Sequence, residues 1–434
     1  MKEMSLNIAI IGAGSVYTPE IIEGFANSRE KLPVSKLTIM DINPKRLDIM
    51  FDFLNRYKKF HGLEFEIVKT TDLVEAVKGQ DFVLTQIRVG GNQARINDEK
   101  IPLKYGVIGQ ETTGPGGYMK ALRTIPVILE IAKAVEKYNP EAWLINYANP
   151  TGILAEAVRN YTNTKFIALC AGGMRPRTWV DWALGVDYKD VKYDFVGLNH
   201  MNFAYNIRVN GRKITKEEFD KVADIHETVE PTLIKELNAL PSLYCQYYFH
   251  RNKKFNELNE AQNTRGEIVL NLEKEIYEAL SDPNQHDKPE ILKNRGGGGY
   301  SELALDALSA IYNDEDMWIV ANVKNERAIE FLPYDASVET PCVLNQNGIT
   351  PLVQNNIPEG VYGLVSGVKN YESLAVKAAV EGDYGKALLA MVAHPLVGDY
   401  DIAKPMLDEM LLANKEYIHP KLIETLEQKE LVHK

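Results

Sequence analysis

Cysteine is scarce in this chain. Among 434 residues there are three, Cys170, Cys245 and Cys342, set far apart. An odd, scattered set argues against a disulfide framework and reads as reduced thiols, so a cytoplasmic protein is expected. Positive charge is also short. Lys and Arg total 49 against 60 Asp and Glu, a net charge of −11. That balance argues against nucleic acid as a partner, yet it leaves room for a local basic pocket that takes a small anion. No apolar run is long enough to cross a bilayer, and the first one, Leu6–Ile11, reads as a strand rather than a secretory signal, so no membrane partner is expected. Internal repeats and low-complexity tails are missing too. The last absence is a single residue. IAIIGAGSVYTPEI carries two glycines of a dinucleotide-binding turn, Gly12 and Gly14, but Tyr17 stands where a third is usual.

What is present suits a large core, since 45% of residues are hydrophobic. The length suggests two closely packed domains. Strand-like runs at Leu6–Ile11, Leu37–Asp41, Phe65–Val68, Asp81–Gln86, Ala142–Tyr147, Lys165–Cys170 and Tyr193–Leu198 alternate with amphipathic stretches such as Pro44–Phe60 and Ala121–Lys137. This alternation predicts an α/β fold, a Rossmann-like, doubly wound, mostly parallel sheet with helices on both faces. Past Asn199 the pattern changes. Phe203–Val209, Asn210-Gly211 and Arg212–Thr215 read as a hairpin, because Asn-Gly suits a type I′ turn. The chain then reads as mainly helical to about Ile311, with strands at Trp318–Val320 and Ile329–Leu332 and helices from Val361 onward. Two domains follow, with a boundary near residue 195: residues 1–195, which begin with the glycine turn, and a mainly helical α+β domain, residues 196–434.

Gly12 allows a tight turn and Gly14 lets the backbone approach a pyrophosphate. Ser15 and Val16 lead into a helix whose free N–H groups and dipole favour that anion. Asp41 ends the second strand, where an acid binds the adenosine ribose hydroxyls and disfavours a 2′-phosphate. NAD is therefore expected rather than NADP, with Arg46 near enough to keep the choice open. The stretch RVGGNQARINDEKIPLKYGVIGQETTGPGG, 88–117, leaves the carboxyl edge of the sheet, where ligands bind in open α/β folds. It holds Arg88 and Arg95, whose guanidinium forks suit phosphate or carboxylate.

The run Ile108–Gly117, with Asn146-Tyr147-Ala148-Asn149-Pro150, resembles glycoside hydrolase family 4, the NAD- and manganese-dependent glycosidases best known as 6-phospho-glucosidases. The resemblance continues through Cys170, Gly197-Leu198-Asn199-His200, Arg295-Gly296-Gly297 with Tyr300-Ser301, Val338-Glu339-Thr340-Pro341-Cys342 and His394-Pro395-Leu396. It thus runs through essentially the whole chain. It implies a fold like that of lactate and malate dehydrogenases, in a homodimer or homotetramer, and a small-molecule glycoside with a 6-phosphate as partner. It also implies Mn²⁺, or another divalent metal, held by Cys170 and His200, with positions left for substrate and water. Read without the family, either residue is equally a buried structural one. The implied reaction is not the paired-carboxylate route of most glycosidases. NAD⁺ takes hydride from C3, a base removes the C2 proton, the C1 group leaves, water adds, and the hydride returns. The matching base is Tyr244, with Tyr247 as fallback. The expected substrate contacts are Arg95, Arg88 and Arg295 on phosphate, together with Asn149. Glu111 lies beside them. The chain departs from the family pattern at Ala171, which follows the metal cysteine where a polar residue is usual. Gly172 and Gly173 are expected to enlarge the space there, and Arg175 or Arg177 offers a new anion contact.

Other readings compete with hydrolysis of 6-phospho-β-glucosides. One is a glycosidase of the same family on an unphosphorylated or α-linked substrate. Another is a net NAD-dependent oxidoreductase, which would call for a His–Asp pair and no metal cysteine. A third is an NAD-binding sensor that has lost hydrolysis.

Overall fold

The structure, a computed structural model, describes residues 5–296 and 300–432. The strands are β1 Leu6–Ile11, β2 Val34–Met40, β3 Glu66–Thr70, β4 Phe82–Thr85, β5 Trp143–Asn146, β6 Lys165–Ala168, β7 Val191–Leu198, β8 Met201–Val209, β9 Arg212–Lys213, β10 Leu240–Pro241, β11 Met317–Lys324, β12 Ser337–Asn345 and β13 Gly348–Pro351. One sheet runs β13-β12-β11-β6-β5-β4-β1-β2-β3. Its β3-β2-β1-β4-β5-β6 portion is parallel throughout, in the strand order of a doubly wound dinucleotide fold. β4 is buried along its whole length and β1 nearly so, which is why both read as continuous apolar runs rather than alternating ones. Winding reverses between β1 and β4, so a crevice opens outside their carboxyl ends.

β11, β12 and β13 extend this sheet antiparallel, and Asn322 pairs with Ala168 at the junction. Residue 195 falls inside β7, and these three strands come from beyond it. A second, antiparallel sheet runs β10-β8-β7, with β9 on β8. The helix Gly114–Tyr138 is buried along most of its length, packed among the helices Gly91–Lys104, Thr151–Tyr161 and Tyr362–Glu381. No helix among the described residues is long and apolar enough to cross a membrane.

Several expectations shift. The helix Pro44–Phe60 has the expected bounds, with Asn43 accepting a hydrogen bond from Arg46 N at 3.1 Å. The hairpin turns at Asn210 (φ 49°) and Gly211 (φ 79°), as a type I′ turn requires. Its second strand stops at Lys213 because Thr215 begins the next helix, in a reciprocal cap with Glu218. Ile329–Leu332 is not a strand. Both residues are buried, but Asn325 captures the backbone: its Nδ2 donates to the carbonyls of Ile329, Leu332 and Pro333, and its Oδ1 accepts from Ile329 N. A side chain that satisfies the backbone locally removes the need for a strand partner. The strand that does follow is β12, unexpected from pattern because it is buried on both faces, Glu339 and Thr340 included.

Candidate active site

At the crevice, the β1 turn is shaped by close contacts. Gly12 has φ 85°, and a Cβ there would sit 3.1 Å from the Gln86 carbonyl. A Cβ on Gly14 would lie 2.7 Å from Asp41 Oδ2. In its place, Gly14 N donates to that oxygen at 2.9 Å, while Asn43 N donates to Oδ1 at 2.8 Å. Asp41 is thus aimed at the mouth with lone pairs to spare. Arg46 stands over the Tyr277 ring, 3.3 Å from Glu273. Tyr277 in turn donates to Gly14 O at 2.5 Å, so the helix Arg265–Ser281 closes over the turn. Tyr17, in the place of the missing glycine, donates to Gly296 O and accepts from Arg295 Nη1 at 3.1 Å. It ties the nucleotide turn to the opposite wall. The rest of the glycine run after Arg295, 297–299, lies outside the described residues.

A single cleft of about 1500 Å³ joins this mouth to the 88–117 stretch. Gly12, Ser15, Val16, Asp41 and Arg46 line one end. Arg88, Arg95, Glu111, Asn149, Tyr244 and Arg295 line the other. Glu111 is the hub: Arg88 Nη1 and Lys120 Nζ approach Oε2 at 2.7 and 3.1 Å, and Arg95 Nη1 approaches Oε1 at 3.2 Å. Burial alone would raise its pKa, but Lys120, Arg88 and Arg95 hold the carboxyl well below the usual range. Arg95 is pinned from the other side by Glu99, 2.8 Å from its Nε, and Glu99 also accepts from Gly266 N at 2.7 Å. Arg123 sets the two helices in register through Asp98 and through Val89 O at 2.9 Å.

Lys120 was not expected here. Burial drops its ammonium to about pKa 7 despite the Glu111 carboxylate. Its signal in the sequence is a lysine set between Met119 and Ala121 in the first turns of the helix, where the neighbouring residues suit the core.

The strand ends bring Cys170 and His200 together as expected. Sγ and Nε2 lie 3.7 Å apart, both side chains buried. Burial, followed by the nearby Lys120, lowers the His200 pKa to about 3, so the ring is neutral and able to ligate. At 3.7 Å both donor atoms reach one shared ion at normal bond lengths of about 2.0–2.3 Å. Among the described residues no cluster of three His, Cys, Asp or Glu could hold a metal. Two protein ligands therefore suit an open site. The Tyr244 ring stacks on His200 at 3.7 Å and 11°, linking this corner to the cleft. Tyr247 lies 6.5 Å from Tyr244.

Other expectations here do not hold. Gly173 is not spare room: a Cβ would sit 2.6 Å from Val320 Cγ1, so the glycine serves close packing against β11. Arg175 makes a two-pronged pair with Glu227, and Arg177 donates to Val191 O while stacking on Trp318. Both are committed to structure. The structure also places Glu339 beneath the corner, held by Asn199, Asn202 and Asn322.

A doubly wound nucleotide fold with a ring of cations in its cleft, and a thiol–imidazole pair behind the cleft residue Tyr244, defines a Rossmann-type enzyme. Sequence comparison narrows this. Residues 7–180 match the model of the family 4 glycosyl hydrolases, and residues 195–397 match that of their C-terminal domain. A Bacillus subtilis protein named "Probable 6-phospho-beta-glucosidase" is 42% identical, over 95% of this chain and 97% of its own. The Escherichia coli 6-phospho-beta-glucosidase is 37% identical, over 95% and 96%. The Thermotoga maritima 6-phospho-beta glucosidase, solved with manganese, NAD⁺ and glucose-6-phosphate, superposes with a TM-score of 0.88 at 32% identity, over 95% and 99%. Malate dehydrogenase from Plasmodium falciparum shares the fold alone, with a TM-score of 0.54 at 13% identity, over 87% and 99%. The chain belongs to glycosyl hydrolase family 4.

Proposed function

We propose that this enzyme hydrolyses 6-phospho-β-glucosides by elimination and addition, with NAD and a divalent metal, Mn²⁺ by preference. The observation that carries this reading is the stacking of Tyr244 on His200 at the end of the cleft that begins at Gly12 and Asp41. A nucleotide site, a metal corner and a candidate base thus share one substrate path. A net oxidoreductase needs a base only for the hydroxyl proton and has no use for one placed to take the carbon-bound C2 proton. The β-glucosidase names of the relatives support the substrate class. Residues 1–195 carry the nucleotide mouth in this reading, and residues 196–434 complete the pocket with Tyr244, His200 and Arg295.

Bound there, the nucleotide would accept hydride reversibly at sugar C3, and the divalent ion would polarise the C3 oxygen so that the C2 proton becomes acidic. Asp41 selects the adenosine ribose by accepting from its hydroxyls. Cys170 and His200 supply a soft anion and a neutral nitrogen to the metal. Arg95, with Arg88 and Arg295, holds the phosphate, and Asn149 orients the sugar. Tyr244 takes the C2 proton. Burial, together with the Cys170 thiol, pushes its phenol well above the ordinary range. A divalent cation beside the ring is the change that brings it down to a working base.

The test follows the C2 hydrogen. Hydrolysis of a 6-phospho-β-glucoside in deuterated water, with NAD⁺, Mn²⁺ and reductant, should place deuterium at C2 of the released glucose-6-phosphate. Tyr244→Phe should keep nucleotide binding and lose that exchange. Full retention of the original C2 hydrogen during turnover would overturn the elimination route.

A further inference from the structure

Behind the His200 ring lies a second cavity of about 20 Å³, separate from the cleft. It is lined by Thr113, His200, Tyr248, Tyr371, Glu372 and His394, among others. Four of its polar atoms are buried without a hydrogen-bond partner among the described residues: His200 Nδ1, Thr113 Oγ1, His394 Nε2 and Glu372 Oε2. The four side chains come from three distant parts of the chain and are 1–6% exposed. Glu372 Oε2 has its ion pair with Lys369, but leaving His200 Nδ1, Thr113 Oγ1 and His394 Nε2 unpaired in one place is costly, so a shared partner is called for.

The direction of each bond can be worked out. His394 Nδ1 accepts from Leu396 N at 3.1 Å, so the proton of this neutral ring sits on Nε2, which donates. His200 Nε2 faces Cys170 and keeps its lone pair for the metal, so Nδ1 carries the other proton and also donates. Glu372 is an acceptor. Its Oε2 pairs with Lys369 Nζ at 2.6 Å and keeps a second lone pair to accept a further bond. Thr113 caps the helix Gly114–Tyr138, but its hydroxyl makes no capping bond, so it is free to accept. Two donors and two acceptors face a space that suits one water molecule. A water has two lone pairs and two hydrogens.

We infer that one ordered water in this cavity accepts from His200 Nδ1 and His394 Nε2 and donates to Glu372 and Thr113, making His394 and Glu372 positioning residues for the metal ligand. The inference rests on the proposed metal role of His200. A ligating histidine whose second nitrogen is tied to a carboxylate has a fixed tautomer and ring plane and a more basic ligating nitrogen. Here the tie runs through water. The His394-Pro395-Leu396 motif, which no nucleotide or sugar contact explains, thereby acquires a role: Leu396 N orients His394.

Mn²⁺ titration of the NAD-loaded protein, read by the electron-spin signal of free ion, tests this. His394→Phe keeps a ring against Tyr371, 4.5 Å away, and removes the donor. It should weaken Mn²⁺ binding about 10- to 100-fold with NAD⁺ affinity unchanged. Thr113→Val should give a smaller loss and Thr113→Ser none, which keeps the test alive if His394→Phe does not fold. Cys170→Ala is the control. If Cys170→Ala loses Mn²⁺ and His394→Phe and Thr113→Val do not, the water link is overturned. If Cys170→Ala also binds normally, the metal reading falls and takes this one with it. A crystal structure without density for a water between His200 Nδ1 and His394 Nε2 would overturn it independently of any metal.

Discussion

Glu111 in the cleft wall and Glu339 beneath the Cys170 turn are both closed in, and each is held by three side chains. Around Glu111 these are cations, Arg88, Arg95 and Lys120. Around Glu339 they are amides, with Asn202 at 2.6 Å, Asn322 at 3.1 Å and Asn199 at 3.4 Å. The outcomes are opposite. Burial works against the charged form of Glu111, but the three cations outweigh it and hold the carboxyl well below the usual range. Burial lifts Glu339 to about pKa 8, and three amide donors only partly oppose it. Full charges offset the cost of burying a carboxylate, whereas neutral dipoles offset part of it. One carboxylate is thus built to carry charge in the cleft wall. The other is built to hold the Asn199–Asn202 turn, and His200 with it, while staying near neutral.

The largest effect is expected at Glu111. Glu111→Gln leaves three cations facing one another without their anion. It should cost about 3–5 kcal/mol of stability and most of the activity, read by urea unfolding and turnover. A loss under about 1 kcal/mol would mean that the cations are screened by something other than Glu111. The native carboxylate contributes stability above the ordinary carboxylate pKa and loses it only as pH falls through the depressed value.

Glu339 should show the opposite pH dependence. Its folded pKa is raised, so its contribution is fully present below the ordinary carboxylate range and is lost as pH rises toward 8. Parent minus Glu339→Gln stability should therefore shrink between pH 5 and 8, by at most about 1.4 kcal/mol per pH unit. A difference that stays flat across that window would place the charge of Glu339 on the same footing as that of Glu111.

Lys120 should give the smallest effect and sharpens the first region from within. Its folded pKa is lowered to about 7, so below pH 7 the protein bears the burial of the ammonium, and stability rises as pH climbs from 7 toward the ordinary lysine range. Lys120→Met removes both the burial cost and the pair with Glu111, and because these oppose each other its net effect on stability at pH 7 should be smaller than that of Glu111→Gln. Any gain should be largest near pH 6 and fade only as pH nears the ordinary lysine value, read in thermal melts. A loss that grows below pH 7 would show that the pair with Glu111 outweighs burial.

These two regions also differ in how far they can be read from sequence. Gly12, Gly14 and Asp41 were legible because the turn, the helix start and the acid at the end of β2 are local consequences of chain spacing. The mostly parallel sheet with helices on both faces follows from β–α alternation. Cys170 and His200 were legible only as members of a family pattern, since nothing local separates a ligand from a buried thiol or ring. Lys120 and Glu339 were passed over because burial, not residue type, makes them unusual. Ile329–Leu332 misled because its apolar run looks like a strand, and only Asn325 shows that the backbone is already satisfied.

By itself the sequence determined the glycine turn, the acid at the end of β2, the parallel core and the set of residues proposed for metal and phosphate. Those depend on near-neighbour sterics, dipoles and periodicity, which act over a few residues. Tertiary structure decided which charges meet Glu111, that Arg175 and Arg177 are spent on Glu227 and Val191, that Gly173 is needed by Val320, and that His200 lies between Tyr244 on one side and a polar cavity with His394 on the other. Electrostatics in a buried site depends on distance and desolvation, and both are properties of the packed chain rather than of its order.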